Sequence, residues 1–338
     1  MYQPKILIQG AGSVGGVVGG RLLAAGYDVT FVTGNEQIAQ AINSNGLRVL
    51  DRRGETKLQA PAFTAVKDLP AGQKFDVIFL AMMDQSSVES IKQSISLSAT
   101  GAVVVTFQNG LVIDAISAVC GAERLIPSTL AFGMTMEGAG IYRLTTEGAI
   151  IIGELDGSTS PRLQKLQTLL ESVATTKLSA NIVGVLWGKL LWNSSVSALC
   201  AITGRKLGDV CGDPQTQAVI IQAFREAVET AEAHEVTLEK VVVDHHTMYV
   251  PEGTSETPAR ELLSSFTERY AAVVPSTAQS LQKGKLTEIE YLNGYVATKA
   301  REIGQRATMQ ERLTQLVHEI EQGARQISPS NLDNLIRA

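Results

Sequence analysis

Apolar residues fall in short continuous runs along the first half of the chain, and stretches of helical spacing separate them. Lys5–Gln9 is such a run, Gly16–Ala25 reads as a small-residue helix, and Asp28–Thr33 is a second run. Gln37–Asn45 reads as the next helix, and Gly46–Lys57 as extended chain around the charged turn Asp51-Arg52-Arg53-Gly54. Phe75–Met82 and Ala102–Phe107 are apolar without alternation, as strands covered on both faces must be. Gln85–Ile95, between them, has helical spacing. Strand and helix alternating in this way predict a parallel sheet with helices on both faces. From Arg124 to Glu154 the pattern changes to short strands separated by glycine, predicted to form the antiparallel edge that completes the sheet. The turn-rich Asp156–Ser160 then leads into a helix over Pro161–Val173.

The second half reads differently. Val183–Thr203 is a long apolar helix with one charge, Lys189. Lys189, Asn193 and Ser197 stand at i, i+4 and i+8 and so share one face. The length would suit a membrane span, but this polar stripe, with Ser194 beside it, favours a buried helix lining a cleft. Gln215–His234, Pro258–Ala272, Thr287–Ile303 and Met309–Gln326 also have helical periodicity, and nothing after residue 182 reads as a strand. The fold class is therefore α/β: a doubly wound domain over residues 1–175, then a mostly helical domain over 176–338. Val236–Thr257 fits neither pattern; residues 236–260 either cap a cleft or decorate the surface.

Composition narrows the partners. A chain of 338 residues with net charge −5 and 44% hydrophobic content is ordinary for a soluble protein with a sizeable core. It has no basic stripe, which argues against nucleic acid and anionic membranes. The three cysteines form no C-x-x-C pattern, which speaks for a reducing cytoplasm and against disulfides. The N-terminus runs straight into folded-looking sequence, without a signal peptide. The apolar C-terminal helices leave a homodimer open.

The chemistry starts at Gly10-Ala11-Gly12-Ser13-Val14-Gly15. The first run ends here and a helix begins, which is the context that gives G-x-G-x-x-G its meaning. Gly10 permits the turn, Gly12 lets backbone approach a pyrophosphate, Gly15 lets helix pack on strand, and helix N–H groups hold the phosphates. This predicts a Rossmann-type dinucleotide site. The second strand ends in Thr33-Gly34-Asn35 without the acid that usually holds an NAD ribose. Glu36 is near, but it also reads as a helix-start acid. Thr33 and Asn35 could bond a 2′-phosphate, so NADP (NADPH) is favoured over NAD.

Asn109 lies beyond the carboxyl end of the Ala102–Phe107 strand, where ligands of such sheets sit, and Asn-Gly is equally a turn. Lys189 reads either as a snorkelling side chain or as a desolvated general acid for a carbonyl. Glu288 and Glu290 follow Thr287 in a capping-box pattern, and Ser276 after Pro275 reads as a helix cap. Asp244-His245-His246 invites a metal, but adjacent residues point apart, so none is expected.

Together these stretches resemble the ketopantoate reductase (2-dehydropantoate 2-reductase) family. The resemblance rests on Gly10-x-Gly12-x-x-Gly15, Asn109-Gly110, Trp187-x-Lys189-Leu190-x-x-Asn193, and Pro275-Ser276 followed by Leu286–Gly294. It implies reduction of a 2-oxo acid, with Lys189 as general acid protonating the ketone oxygen. Asn193, Ser197 and Ser276 would contact substrate, Asn109 nicotinamide and substrate, and Glu288 the reacting hydroxyl and cofactor. The chain departs from the family at Ala81-Met82-Met83-Asp84, which lacks a common lysine, and at Ser197, Val273 and Gly34. These changes leave open an opine-type or hydroxy-acid dehydrogenase, or a non-catalytic dinucleotide-binding module.

Overall fold

The computed structural model describes residues 3–52, 54–82 and 84–336; Met83 and Arg53, singled out above, lie outside them. The chain forms two compact units that divide after Ile182.

The first unit is built on an eight-stranded sheet. Its strands are β1 (Lys5–Gln9), β2 (Asp28–Val32), β5 (Ala62–Phe63), β6 (Phe75–Leu80), β7 (Ser98–Thr106), β8 (Leu125–Leu130), β11 (Ala149–Ile152) and β12 (Thr175–Leu178), in the order β12-β11-β8-β7-β6-β1-β2-β5. All pairings are parallel except β8 with β11. Helices α1 (Ser13–Ala24), α2 (Glu36–Asn45), α3 (Asp84–Ser94), α4 (Ile113–Cys120) and α5 (Pro161–Leu170) connect the strands. The predicted boundary at 175 moves to 182 because β12 pairs in parallel with β11 and so belongs to the sheet. Its short, half-polar sequence TTKL carries no strand signal of its own.

The Arg124–Glu154 stretch does not all join that sheet. β9 (Met134–Gly138) and β10 (Ile141–Leu144) leave it and combine with β3 (Leu47–Asp51) and β4 (Gly54–Leu58) in a second, four-stranded sheet of order β4-β3-β10-β9. Helix α1 packs on both sheets, and four glycines among its twelve residues make the close approach possible. A Cβ on Gly15 or Gly19 would lie 3.0 Å from Ile8 Cγ2 or 2.3 Å from Phe31 Cζ, on the large sheet. A Cβ on Gly16 or Gly20 would lie 2.3 Å from the Tyr142 ring or from Val49, on the small one. Two adjacent i, i+4 glycine pairs thus give the helix two flat faces.

The second unit is helical throughout its described residues: α6 (Ile182–Thr203), α7 (Leu207–Gly212), α8 (Pro214–Ala233), α9 (His245–Met248), α10 (Thr257–Arg269), α11 (Ser276–Gln282), α12 (Asn293–Glu302), α13 (Thr308–Glu321) and α14 (Asp333–Ile336). Helix α6 is long and apolar enough to cross a membrane, but 89% of its most apolar window is buried, as in a core helix. The helix expected over Thr287–Ile303 is broken: a 3-10 turn spans Ile289–Tyr291, and α12 starts only at Asn293. The predicted capping box does not form. Glu321 takes the Thr287 N–H at 2.7 Å, and Glu290 turns to His318 instead.

Residues 236–250 are anchored to the helical unit, whereas 251–255 are exposed, so the segment is surface loop at its end. Glu239 N–H donates to the Gly184 carbonyl of α6 at 3.2 Å, while Val243, Met248 and Val250 are buried. Asp244 accepts the His246 N–H and so caps α9. Among the described residues no group of three or more His, Cys, Asp or Glu could hold a metal ion. Cys120, Cys200 and Cys211 are buried and unpaired; burial pushes the Cys120 thiol up to about 11 and the Cys211 thiol up to about 12.

Candidate active site

In the first unit, register decides where the site lies. Gln9 stands opposite both Val32 and Leu80, and Leu80 opposite Thr106, so β1, β2, β6 and β7 end together. The loops bearing Gly10–Gly15, Thr33–Asn35, Ala81–Met82 and Gln108–Asn109 therefore leave one edge, the carboxyl edge where such sheets bind ligands.

Gly10 has φ +94° and donates its N–H to the Val32 carbonyl at 2.8 Å. A Cβ there would lie 2.7 Å from the Ala81 carbonyl oxygen. Gly12 is the opposite case, since no atom lies within 4 Å of where its Cβ would be. It caps α1 with no side chain, and the first turn, which opens with Ser13, Val14 and Gly15, contains no acid. A helix start with open space in front and no built-in anion is what a pyrophosphate requires. The dinucleotide therefore fits this loop.

Two residues that sequence reasoning passed over hold the loops in place. Tyr142, fully buried on β10, donates its hydroxyl to the Ala11 carbonyl at 2.8 Å. Gln108 donates to Ser87 Oγ at 2.7 Å and to the Leu80 carbonyl at 3.2 Å, tying the β6–α3 loop to the end of β7. A polar residue closing an apolar run was the available signal for Gln108; Tyr142 gave none. Asn109 beside it is exposed. Thr33 is buried, and Asn35 is the N-cap of α2, its Oδ1 accepting the Ile38 N–H at 3.1 Å. Glu36 begins that helix as an exposed first-turn acid.

In the second unit, α6 is continuous, so Lys189, Asn193 and Ser197 do share a face. Between Gly184 and Thr203 only Lys189 and Asn193 are partly exposed, and Ser197 is buried. The helix therefore opens at these two polar residues, one turn apart. Its back is fixed by the segment after α8, since a Cβ on Gly188 would lie 2.0 Å from the Glu239 carbonyl oxygen. Helix α12 is held to it by Asn293 Nδ2, which donates to the Ser194 carbonyl at 2.6 Å, and by Tyr295 against Trp187.

Ser276 and Glu288 are brought together. The Ser276 hydroxyl donates to Glu288 Oε1 at 2.5 Å, and Glu288 is 4% exposed. Ser276 is not the cap expected of it. It is the first residue of α11, with Pro275 at the cap position, so its hydroxyl serves the carboxylate rather than the helix.

A doubly wound sheet with a glycine loop at its carboxyl edge, followed by a helical unit presenting a lysine, defines a nicotinamide-dinucleotide oxidoreductase acting on a CH–OH group. The chain belongs to the ketopantoate reductase PanE/ApbA family, whose N-terminal model matches residues 6–157 and whose C-terminal model matches residues 181–321. The 2-dehydropantoate 2-reductase of Halobacterium salinarum is 27% identical over 304 residues, covering 88% of this chain and 92% of the relative. That of Archaeoglobus fulgidus is 24% identical over 324 residues, covering 96% and 100%. Among solved structures, the PanE/ApbA family ketopantoate reductase from Ralstonia eutropha superposes with TM-score 0.79 at 25% identity, covering 94% of this chain and 99% of that one. A D-mandelate dehydrogenase complex with NADH shares the fold, with TM-score 0.82 at 22% identity and coverage of 94% and 99%.

Proposed function

We propose that the protein reduces the ketone of a 2-oxo acid with NADPH, and that 2-dehydropantoate, converted to pantoate for pantothenate biosynthesis, is its substrate. The observation that carries the reading is that, between Gly184 and Thr203, the buried apolar helix opens only at Lys189 and Asn193. The dinucleotide, when bound, supplies the hydride. Lys189 gives a proton to the ketone oxygen as negative charge develops there, a role in which a partly desolvated ammonium is effective. Asn193 and Ser197 offer neutral hydrogen bonds to the substrate, and Asn109 does so from the sheet edge. Glu288, oriented by Ser276, accepts the hydrogen bond of the product hydroxyl. The names of the relatives support this substrate, and the buried thiols suit a reducing cytoplasm.

NADPH is preferred because β2 ends without an acid that would repel a 2′-phosphate. Asn35 uses its Oδ1 as a cap, which leaves its amide nitrogen to donate to such a phosphate.

Lys189→Ala tests the mechanism: turnover of NADPH with 2-dehydropantoate should vanish while the cofactor Kd stays within about twofold. Full activity in that variant would overturn it. A second reading, another 2-oxo acid, is favoured by Val273, which presents an exposed apolar side chain three residues before Ser276. A panel of 2-oxo acids separates the two, because a bulkier apolar acid would then outperform 2-dehydropantoate.

A further inference from the structure

We propose that His318 is a positioning residue for Glu288, acting through a carboxylate–imidazole–carboxylate clamp that grips the chain on both sides of it. The inference rests on the role given above to Glu288.

Glu288 lies in a short irregular stretch between α11 and α12, where no regular helix fixes its backbone. Helix α13 supplies the missing constraint. Just before Glu288, the Thr287 N–H donates to Glu321 Oε1 at 2.7 Å; just after it, Glu290 Oε1 meets His318 Nε2 at 2.6 Å. The other ring nitrogen of His318, Nδ1, meets Glu321 Oε2 at 2.7 Å, which closes the clamp. The clamp has a firm base, because Glu226 caps the start of α13 by accepting the Met309 and Gln310 N–H groups at 2.9 and 3.0 Å. Glu321 is 6% exposed at its side chain, whereas Glu290 is 57% exposed, so one jaw is anchored and the other is held by the imidazole.

Both ring nitrogens face carboxylate oxygens, so the arrangement is complete only when both carry protons, that is, in the imidazolium form. Burial opposes that charge, but the bonds to Glu321 and Glu290 outweigh it and hold the pKa above the ordinary value. Arg301 of α12 and Glu311 and Glu319 of α13 line the same hollow. Glu311 is paired with Arg306 and Glu319 with Arg325. The clamp therefore engages while His318 is protonated and both carboxylates are ionised, and it releases Glu290 as pH rises through the raised pKa.

The experiment compares wild type with His318→Gln, His318→Arg, Glu290→Ala and Glu288→Gln. It measures kcat and KM for 2-dehydropantoate from pH 5.5 to 9, the NADPH Kd by fluorescence, and Tm. His318→Gln has one donor nitrogen where the imidazolium has two, with a carbonyl oxygen in place of the other, so kcat/KM should fall about tenfold at pH 6, in line with the cost of a small misplacement of a reacting group. The NADPH Kd should move less than about twofold, and the deficit should shrink towards alkaline pH as the wild-type clamp itself opens. His318→Arg, charged at every pH and able to bridge two carboxylates, should restore activity and flatten the profile. Wild-type kcat/KM across the pH range in folded His318→Gln would overturn the proposal. If that variant fails to fold, the exposed Glu290→Ala decides the matter, since it removes one jaw only and should lose activity in the same pH-dependent way; unchanged kinetics there would overturn it too. Glu288→Gln separates the two layers. Full activity in it refutes the role of Glu288 itself, whereas a dead Glu288→Gln beside an unaffected His318→Gln refutes the clamp alone.

Discussion

Alanine at Gly12 and at Gly16, four residues apart on the same element, should fail in opposite ways. Gly12 has φ −76° and ψ −163°, a conformation alanine adopts without strain, and nothing lies within 4 Å of the new Cβ. Restricting the unfolded chain gains about 0.4–1 kcal/mol. Gly12 is also the N-cap of α1, where alanine is the poorer residue by about 0.5–1 kcal/mol. These terms cancel to within about 0.5 kcal/mol, which for a unit of this size moves Tm by about 2 °C or less. The added methyl does occupy the space a pyrophosphate must enter, so the NADPH Kd should rise at least tenfold, or about 1.4 kcal/mol. At Gly16 the new Cβ would lie 2.3–2.4 Å from three atoms of the Tyr142 ring, against the ~3.5–4.0 Å of normal contact. The ring is fully buried and tied by its hydroxyl to Ala11, so it cannot swing away. Overpacking of this kind costs about 1–3 kcal/mol, and the upper end, some 6–12 °C in Tm, is expected here. The assay is thermal unfolding without ligand, followed by NADPH titration of both folded variants. If Gly12→Ala bound NADPH as tightly as wild type, the loop would not be the pyrophosphate site. If Gly16→Ala kept its Tm, the close approach of α1 to the second sheet would be wrong.

Tyr142→Phe keeps the ring and removes the hydroxyl, leaving the Ala11 carbonyl without that donor; urea unfolding should show a loss of about 1–3 kcal/mol, and NADPH should bind more weakly than to wild type. Arg162→Ala strips the bidentate partner from Glu154, which is 5% exposed, and should cost about 2–3 kcal/mol, discounted because Arg162 is itself partly exposed. The Arg162 guanidinium holds the Glu154 carboxyl below its ordinary value of 4.5 against the opposing effect of burial, with the Ser160 hydroxyl helping. That contribution is present above pH 4.5 and lost as pH falls through the lower folded value, so the gap between wild type and Arg162→Ala should close in acid unfolding.

What could be read in the sequence followed from how local each signal is. The β1 loop was legible because strand, glycines and helix are contiguous, and the polar face of α6 because three residues at i, i+4 and i+8 need nothing but the helix. The second sheet was not, since β3 and β10 lie far apart in sequence and pair through backbone bonds that no pattern within either stretch announces. The same holds for β12, whose TTKL becomes a strand only because β11 offers it an edge. The misread capping box is the most instructive case. Thr287 and Glu290 have the right spacing, but a buried carboxylate from α13 competes for the Thr287 N–H and a histidine competes for Glu290. Local propensity loses to tertiary partners that arrive from residues thirty positions away.

Gly188 links residues 236–250 to the helix that carries the chemistry. It sits one residue before Lys189, on a part of α6 where Gly184 and Gly188 are one turn apart. Any side chain at 188 would collide with the Glu239 carbonyl oxygen or with Val241, and the Gly184 carbonyl receives the Glu239 N–H. The stretch after α8 therefore lies directly on the backbone of the helix that carries the proposed acid. A helix of mean radius ~2.3 Å can be approached this closely only along a stripe without side chains. The buried Val243, Met248 and Val250 then anchor the segment in the helical core, so it cannot withdraw without unpacking that core. Residues 236–250 thus brace α6 along Gly184 and Gly188, and a part of the chain with no proposed catalytic residue packs one position away from Lys189.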